Sequence, residues 1–299
     1  MGEGDKKIFM KKQELTLIWR KFWLQNNIVE KILMKKAGLN KSQFFLAEEL
    51  KIKESDLEDL KNIFRKVAFG YPIEYILEKA EFYGLDFYVD KRCLIPRNDT
   101  EIMVDEAVKE ILNSPDSGLG VFYIDIWTGS WAIPISVVDN VWQYVDKAYA
   151  VDISTDALEV AKKNIKTHNL VDKIELLKSD LLENIILNPS FTKREITQYI
   201  ITANLPYIKN EDFWNMDQDV ILYEPAIALY WWAWTGFELY EKLIEQIINS
   251  ENKKVILFIE IWFDQKKVAI NYLENKNLKF EIFKDNWWID RCIKIEFLN

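Results

Sequence analysis

The stretch IDIWTGSWAIPISV, Ile124–Val137, decides how the rest of the chain is read. Its first residues close the apolar run VFYIDI, Val121–Ile126, and its last ones open an apolar helix, with the loop Trp127-Thr128-Gly129-Ser130-Trp131 between them. A strand that enters a helix through a tight loop is the repeating unit of doubly wound α/β sheets, in which ligands sit outside the carboxyl ends of the strands. Such a loop favours glycine, because glycine reaches positive φ and lets the backbone approach a ligand. Here two tryptophans stand where glycine is wanted.

The same alternation continues downstream. Strands are expected at AYAVDI (Ala148–Ile153), IELLK (Ile174–Lys178), YIITANLP (Tyr199–Pro206) and VILFIEI (Val255–Ile261), with helical segments such as Thr155–Thr167 between them. Short apolar strands alternating with helices predict an α/β, mostly parallel sheet covered on both faces. The closing runs KFEIFKD and RCIKIEF have no helix between them and predict an antiparallel hairpin at one edge. Upstream, from Gln13 to Phe69, apolar residues recur at helical spacing (Leu15, Ile18, Phe22; Leu57, Leu60, Phe64) with few breakers, which predicts a small all-α domain over residues 1–80. EFYGLDFYVDKRCLIPR, Glu81–Arg97, alternates around Gly84 as a hairpin does, so residues 81–95 are expected to link that domain to the main one over 96–299.

Composition narrows the function classes. A chain of 299 residues with 49% hydrophobic content can bury a full core. The segment Met1–Lys7 is charged and no run approaches the roughly 18 apolar residues of a membrane span, so no membrane partner and a cytoplasmic location are expected. A net charge of −9 argues against a large phosphate-binding surface, and direct nucleic acid binding is not expected. Cys93, Cys292 and the single His168 lack metal-ligand spacing, so no metal is expected. The chain has only 9 glycines beside 12 tryptophans. Ordinary usage of about 7% would give about 21 glycines in a chain of this length.

Four strand ends carry candidate chemistry. Asp125 closes the first. Asp152, at the end of the second, can accept hydrogen bonds from ribose hydroxyls, or else cap the helix that starts near Ser154 or Thr155. Asp180-Leu181 follows the third, and by itself Asp180 reads better as a plain loop acid. Asn204-Leu205-Pro206-Tyr207 ends the fourth: the Asn oxygen and the next backbone carbonyl offer two acceptors to a planar nitrogen beside the Tyr ring. Standing alone, the same four residues serve as an ordinary strand-end turn.

Taken together, PIEYIL, EFYGLDFYVDKRCLIPRNDTEIMVDEA, DIWTGSWAIPIS, AVDISTDALEVAKKN, ANLPYI, YEPAIALYWW, FIEIWFDQ and WIDR resemble the peptide chain release factor glutamine N5-methyltransferases. The resemblance implies a Rossmann-like seven-strand domain dependent on S-adenosyl-L-methionine, preceded by a helical substrate-docking domain. It further implies a monomer that methylates the side-chain amide of the glutamine in the Gly-Gly-Gln motif of release factors. By the same resemblance Asp125 and the loop Trp127, Thr128, Gly129, Ser130 and Trp131 would face the methionine part of the cofactor. Asp152 would hold the ribose, and Asp180 and Leu181 would lie near the adenine. Asn204 would touch the cofactor and, with Leu205, Pro206 and Tyr207, grip the glutamine, Asn204 and Tyr207 being the catalytic pair. Arg97 matches a family arginine by position, or serves as a surface ion-pair partner. Leu205 departs from the family's usual proline and is similar to the motif of RNA adenine dimethyltransferases. An N6-adenine methyltransferase acting on RNA or DNA therefore stays open, as does a non-catalytic paralogue with a blocked cofactor site.

Against the family pattern, Trp127, Trp131, Trp231, Trp232, Trp262 and Trp288 fall on glycine positions. A UGA codon decoded as glycine in the cell but written here as tryptophan produces that substitution and the matching glycine shortfall. The chain as written is then expected to bind S-adenosylmethionine poorly. Trp19 and Trp23, four apart on a helix, are the ones most easily read as ordinary core, with misread glycine as the alternative for both.

Overall fold

The computed structural model describes residues 7–19, 22–114, 121–185, 198–209, 211–212, 216–250 and 254–298. Its strands are β1 (Lys7–Lys11), β2 (Glu49–Lys53), β3 (Ala80–Phe82), β4 (Leu85–Phe87), β5 (Val121–Ile126), β6 (Val145–Asp152), β7 (Ile174–Lys178), β8 (Gln198–Ala203), β9 (Ile208–Lys209), β10 (Tyr230–Ala233), β11 (Lys254–Glu260), β12 (Lys279–Lys284) and β13 (Asp290–Leu298). Its helices are α1 (Lys12–Trp19), α2 (Asn26–Ala37), α3 (Lys41–Leu46), α4 (Asp56–Ala68), α5 (Ile73–Leu77), α6 (Glu101–Leu112), α7 (Ala132–Val141), α8 (Thr155–Thr167), α9 (Gln218–Tyr223), α10 (Ala226–Leu229), α11 (Glu238–Ile248) and α12 (Lys266–Asn275). The chain divides into two compact units, Met1–Lys79 with Gln218–Tyr223, and Ala80–Asp217 with Glu224–Asn299.

In the first unit, α1, α2 and α4 turn Leu15, Trp19, Val29, Leu33, Leu60 and Phe64 into one core. Trp19 stacks on Phe64 with ring centroids 4.8 Å apart. The helices are as expected, but the unit is not purely helical. An antiparallel ribbon of β1 and β2 accompanies them. ELKIK, Glu49–Lys53, alternates exposed and buried residues, burying Leu50 and Ile52, and this period of two lies hidden within a longer helical pattern.

The second unit is built on a seven-stranded sheet of order β12-β13-β11-β8-β5-β6-β7. β11, β8, β5, β6 and β7 run parallel, and β13 is antiparallel to both β11 and β12. The expected closing hairpin is therefore at the edge, with β13 slotted inside β12. From β5 the chain winds outward through β6 and β7, then returns to the other side of β5 as β8. That reversal is the switch point at which such sheets bind ligands. Phe122, Ile124 and Ile126 pack on one face with α11 and α12, while Val121 and Tyr123 pack on the other with α6, α7 and α8. The β3–β4 hairpin closes on Tyr83 and Gly84, both at positive φ, as a two-residue turn between right-twisted strands requires.

Two buried polar groups fix the switch point. Asn164 on α8 donates through Nδ2 to the carbonyls of Tyr88 (2.9 Å) and Ser130 (2.8 Å), and its Oδ1 accepts from Tyr88 N (2.7 Å). It thereby ties the chain after β4 to the loop after β5. Across β5 and β8, Tyr123 and Thr202 share a hydroxyl contact of 2.7 Å, and Thr202 donates to Asp125 at 2.5 Å. Asp125 is fully buried, and burial above all pushes its carboxyl up to about 7.

Asn164→Ala removes the side-chain partner of Tyr88 N and of the Tyr88 and Ser130 carbonyls and is expected to lower stability by roughly 2–4 kcal/mol in denaturant unfolding, without changing the slope. Asp125 has a folded pKa above its unfolded value, so the folded state holds the extra proton. Its contribution is present at about pH 4 and is lost as pH rises through about 7. Asp125→Asn, which mimics the protonated acid, should remove on the order of 4 kcal/mol of pH-dependent loss between about pH 4 and pH 8. Unfolding midpoints of both proteins across that range measure it.

Candidate active site

β5 and β8 are hydrogen-bonded neighbours whose last pair is Ile126 with Ala203. Trp127 and Asn204 therefore leave the sheet side by side. They line one cavity of about 650 Å³ together with Thr128, Gly129, Ser130 and Asp152. Its other walls come from Ala132 and Ile133 at the start of α7, from Arg92, Leu94 and Arg97 after the hairpin, and from Ile227 and Ala228 on α10. Its mix of apolar and polar lining residues fits a small organic ligand.

The loop reverses direction by alternating left-handed residues: Trp127 at φ 63, Gly129 at φ 54 and Trp131 at φ 74. Trp131 N donates to Thr128 O at 2.9 Å, closing the turn ahead of α7. A Cβ built on Gly129 would meet nothing within 4 Å. For tryptophan the left-handed region costs about 1–2 kcal/mol at each position. The two indoles have different fates. Trp127 lines the cavity, whereas Trp131 is wholly buried in the core beside α6 and α7, with its indole N–H lacking an acceptor.

Asp152 bridges two loops. Oδ2 accepts from Gly129 N (2.9 Å) and Oδ1 from Ser154 N (2.8 Å). Ser154 is itself the cap of α8, accepting from Ala157 N at 3.2 Å, so Asp152 is not needed for capping. Burial pushes the Asp152 carboxyl up to about 6.

Asn204 is half-buried, and its Nδ2 makes a long 3.4 Å contact to Thr100 Oγ1. Leu205 N donates to Tyr240 Oη (3.1 Å), which in turn donates to the Glu260 carbonyl at 2.5 Å. Tyr207 Oη donates to Glu260 Oε1 at 3.0 Å, and its ring lies against Trp262 with centroids 5.6 Å apart. Burial first, and then Glu260, hold the Tyr207 phenol well above its ordinary range, so it is a hydrogen-bond donor and not a base. Gln265 Nε2 donates to the Tyr207 carbonyl at 3.0 Å, closing the turn from below.

The structure thus brings Trp127, Thr128, Gly129, Ser130, Asp152 and Asn204 to one wall. Asp125 lies beneath it, fully buried. Trp131, Leu205, Pro206 and Tyr207 follow directly on wall residues in the chain but do not themselves line the cavity. Asp180 and Leu181 are also off the wall. Asp180 pairs with Lys242 at 2.7 Å, and Leu181 is buried at φ 51. Arg97 lines the cavity and pairs with the buried Glu224, whose second oxygen accepts from Ile95 N at 3.1 Å. Glu260, Thr100 and Gln265 were not singled out from the sequence. An acid inside the apolar run VILFIEI was the available signal for Glu260, because a buried carboxylate needs partners.

No protein-family model matches the chain. Among curated proteins it is 34% identical over 264 residues to the release factor glutamine methyltransferase of Clostridium acetobutylicum, covering 85% of this chain and 86% of that one. It is 31% identical over 285 residues to the enzyme of that name from Lactococcus lactis, covering 95% and 93%. It is 30% identical over 256 residues to that of Chlorobaculum tepidum, covering 85% and 84%. Among solved structures, the catalytic domain of human METTL16 bound to an RNA hairpin superposes with a TM-score of 0.55 at 13% identity, covering 96% of this chain and 93% of that one, a likeness of fold. With identity at this level spread over nearly the whole length, and the two diagnostic strand exits facing one cavity, the chain belongs to the release factor glutamine methyltransferases.

Proposed function

We propose that the cavity at the β5–β8 exits binds S-adenosyl-L-methionine and that Asn204-Leu205-Pro206-Tyr207 presents the glutamine amide of a release factor's Gly-Gly-Gln motif to it. The carrying observation is the pairing of Ile126 with Ala203, which sets the glycine-type loop and Asn204 on one wall. Asp152 is the buried carboxylate that would accept ribose hydroxyls, and Gly129, with open space at its Cβ position, lets a ligand approach the backbone. When bound, the cofactor supplies an electrophilic methyl on a sulfonium.

An amide nitrogen is a weak nucleophile, because its lone pair is delocalised into the carbonyl. The Asn204 side-chain oxygen and the Leu205 carbonyl would each accept one N–H of the glutamine and favour a more pyramidal nitrogen as positive charge develops there. Braced by Glu260 and Gln265, Tyr207 would keep both acceptors in place. Asp180 and Leu181 would lie toward the adenine end. The unit formed largely by residues 1–80 would dock the release factor, and the protein would act as a cytoplasmic monomer. Among the described residues no helix is long and apolar enough to cross a membrane.

Asn204→Ala is expected to lower turnover by about 10²-fold or more while the fold is kept. The readout is the mass of the Gly-Gly-Gln peptide after incubation with S-adenosylmethionine. Label appearing on RNA or DNA, with none on the release factor, would contradict the substrate assignment. Asp152 accepts from ribose as a carboxylate, so cofactor affinity should rise with pH and fall about tenfold per unit below about pH 6. Calorimetry on Asp152→Asn should show weak binding without that dependence.

A further inference from the structure

We infer that the working protein carries glycine at positions 23, 127, 131 and 288, from codons that its cell decodes as glycine, and genuine tryptophan at positions 19 and 142. Among the described residues, Trp23 (φ 61), Trp127 (φ 63), Trp131 (φ 74) and Trp288 (φ 64) are the tryptophans with left-handed backbones, out of 12 in the whole sequence. Only a few per cent of non-glycine residues do so, and those are chiefly Asn, Asp and His. At that frequency about half a tryptophan is expected among the 12.

Each position is one where the backbone asks for glycine for its own local reason. Trp288 is the clearest. Asp285 N donates to Ile289 O at 2.9 Å and Trp288 N to Asp285 O at 3.0 Å, closing a three-residue loop between β12 and β13. In such loops a type I turn is followed by a left-handed residue, and glycine is the residue that fits there. Trp288 occupies that place with its indole largely in solvent. Trp23, 96% exposed, lies in the connection between α1 and α2 and turns the chain there with a left-handed backbone, a conformation glycine adopts at no steric cost. Trp127 and Trp131 are the left-handed corners of the loop after β5.

A paralogue that had lost its cofactor could fill its cofactor loop with indole. It would have no cause to place tryptophan at Trp23 or Trp288, which line no part of the cavity. A cause acting on the codon predicts the substitution at glycine positions that use that codon, whether or not they line the cavity. UGA and UGG differ in one base, so a UGA assigned to glycine in the cell is written as tryptophan under a table that reads both alike. Two other tryptophans, Trp19 and Trp142, fall on the opposite side of the same physical test. Trp19 ends a helix, is buried, and stacks on Phe64 and Phe22. Trp142 sits at φ −53 with Lys173 Nζ 4.7 Å above its ring. Both use their rings.

The deciding experiment needs no assay of methyl transfer, so its outcome is separate from the proposed function. Peptides from the protein isolated from its own cells are sequenced by mass spectrometry and aligned with the gene. Glycine at 23, 127, 131 and 288 encoded by UGA, with tryptophan at 19 and 142 encoded by UGG, is the expected result. Tryptophan in the peptide at 127 or 131, or UGG in the gene at either, overturns the inference, and glycine at 19 overturns the sorting by backbone and ring contact. In recombinant protein, Trp288→Gly should raise the thermal midpoint and Trp19→Gly should lower it. The Trp127→Gly, Trp131→Gly double variant should bind S-adenosylhomocysteine about tenfold or more tightly than the chain as written. An unchanged or weakened midpoint for Trp288→Gly counts against the inference.

Discussion

The chain must leave β5, turn sharply and start α7 within five residues, Trp127 to Trp131, while the neighbouring strand β8 ends alongside it. Nearly every other feature of the catalytic unit follows from that constraint. The turn is made by left-handed residues at alternate positions, and Asp152 collects Gly129 N within it. Asn164 holds the loop from outside through the Ser130 carbonyl, and the buried Tyr123–Thr202–Asp125 ladder holds it from below. What opens between the two strand exits is a ligand cavity with one buried carboxylate and one half-exposed amide on its wall.

The substrate-side turn is braced by residues far away in sequence. Glu260, one strand over from β8, accepts from Tyr207 through its side chain and from Tyr240 through its carbonyl, and Tyr240 in turn receives Leu205 N. Because Leu205 is anchored by its backbone N–H, replacement of a proline by leucine here gains one hydrogen bond and still leaves a backbone carbonyl in the same chain position. Leu205 itself is buried against the α11 face, where its side chain works as packing. The departure from the family motif is thus absorbed by the core.

Much of the fold was legible because each strand of the catalytic sheet is a short apolar run bounded by turn residues. VFYIDI and IELLK coincide with β5 and β7, and Thr155–Thr167 coincides with α8. The β1–β2 ribbon was not legible, since five-residue strands beside long helices leave too short a period-two signal. At the site, Asp152 and Asn204 could be found because strand ends are where such sheets bind ligands. Asp180 and Leu181 could be named from the family pattern, but the structure leaves them off the cavity wall. The bracing by Thr100, Asn164, Glu260 and Gln265 depends on contacts across many tens of residues, which no local pattern encodes. Trp23 read as core from its helical spacing, whereas it is exposed and left-handed, because α1 ends at Trp19 and the spacing no longer applies beyond it.

The central claim is that methyl donor and glutamine amide meet between the exits of β5 and β8. A crystal structure of the protein bearing Trp127→Gly and Trp131→Gly, bound to S-adenosylhomocysteine and a Gly-Gly-Gln peptide, tests it most directly. The glutamine nitrogen should lie between Asn204 Oδ1 and the Leu205 carbonyl and face the cofactor sulfur. A glutamine bound elsewhere, or a sulfur on the far side of the sheet from Asn204, would contradict the account.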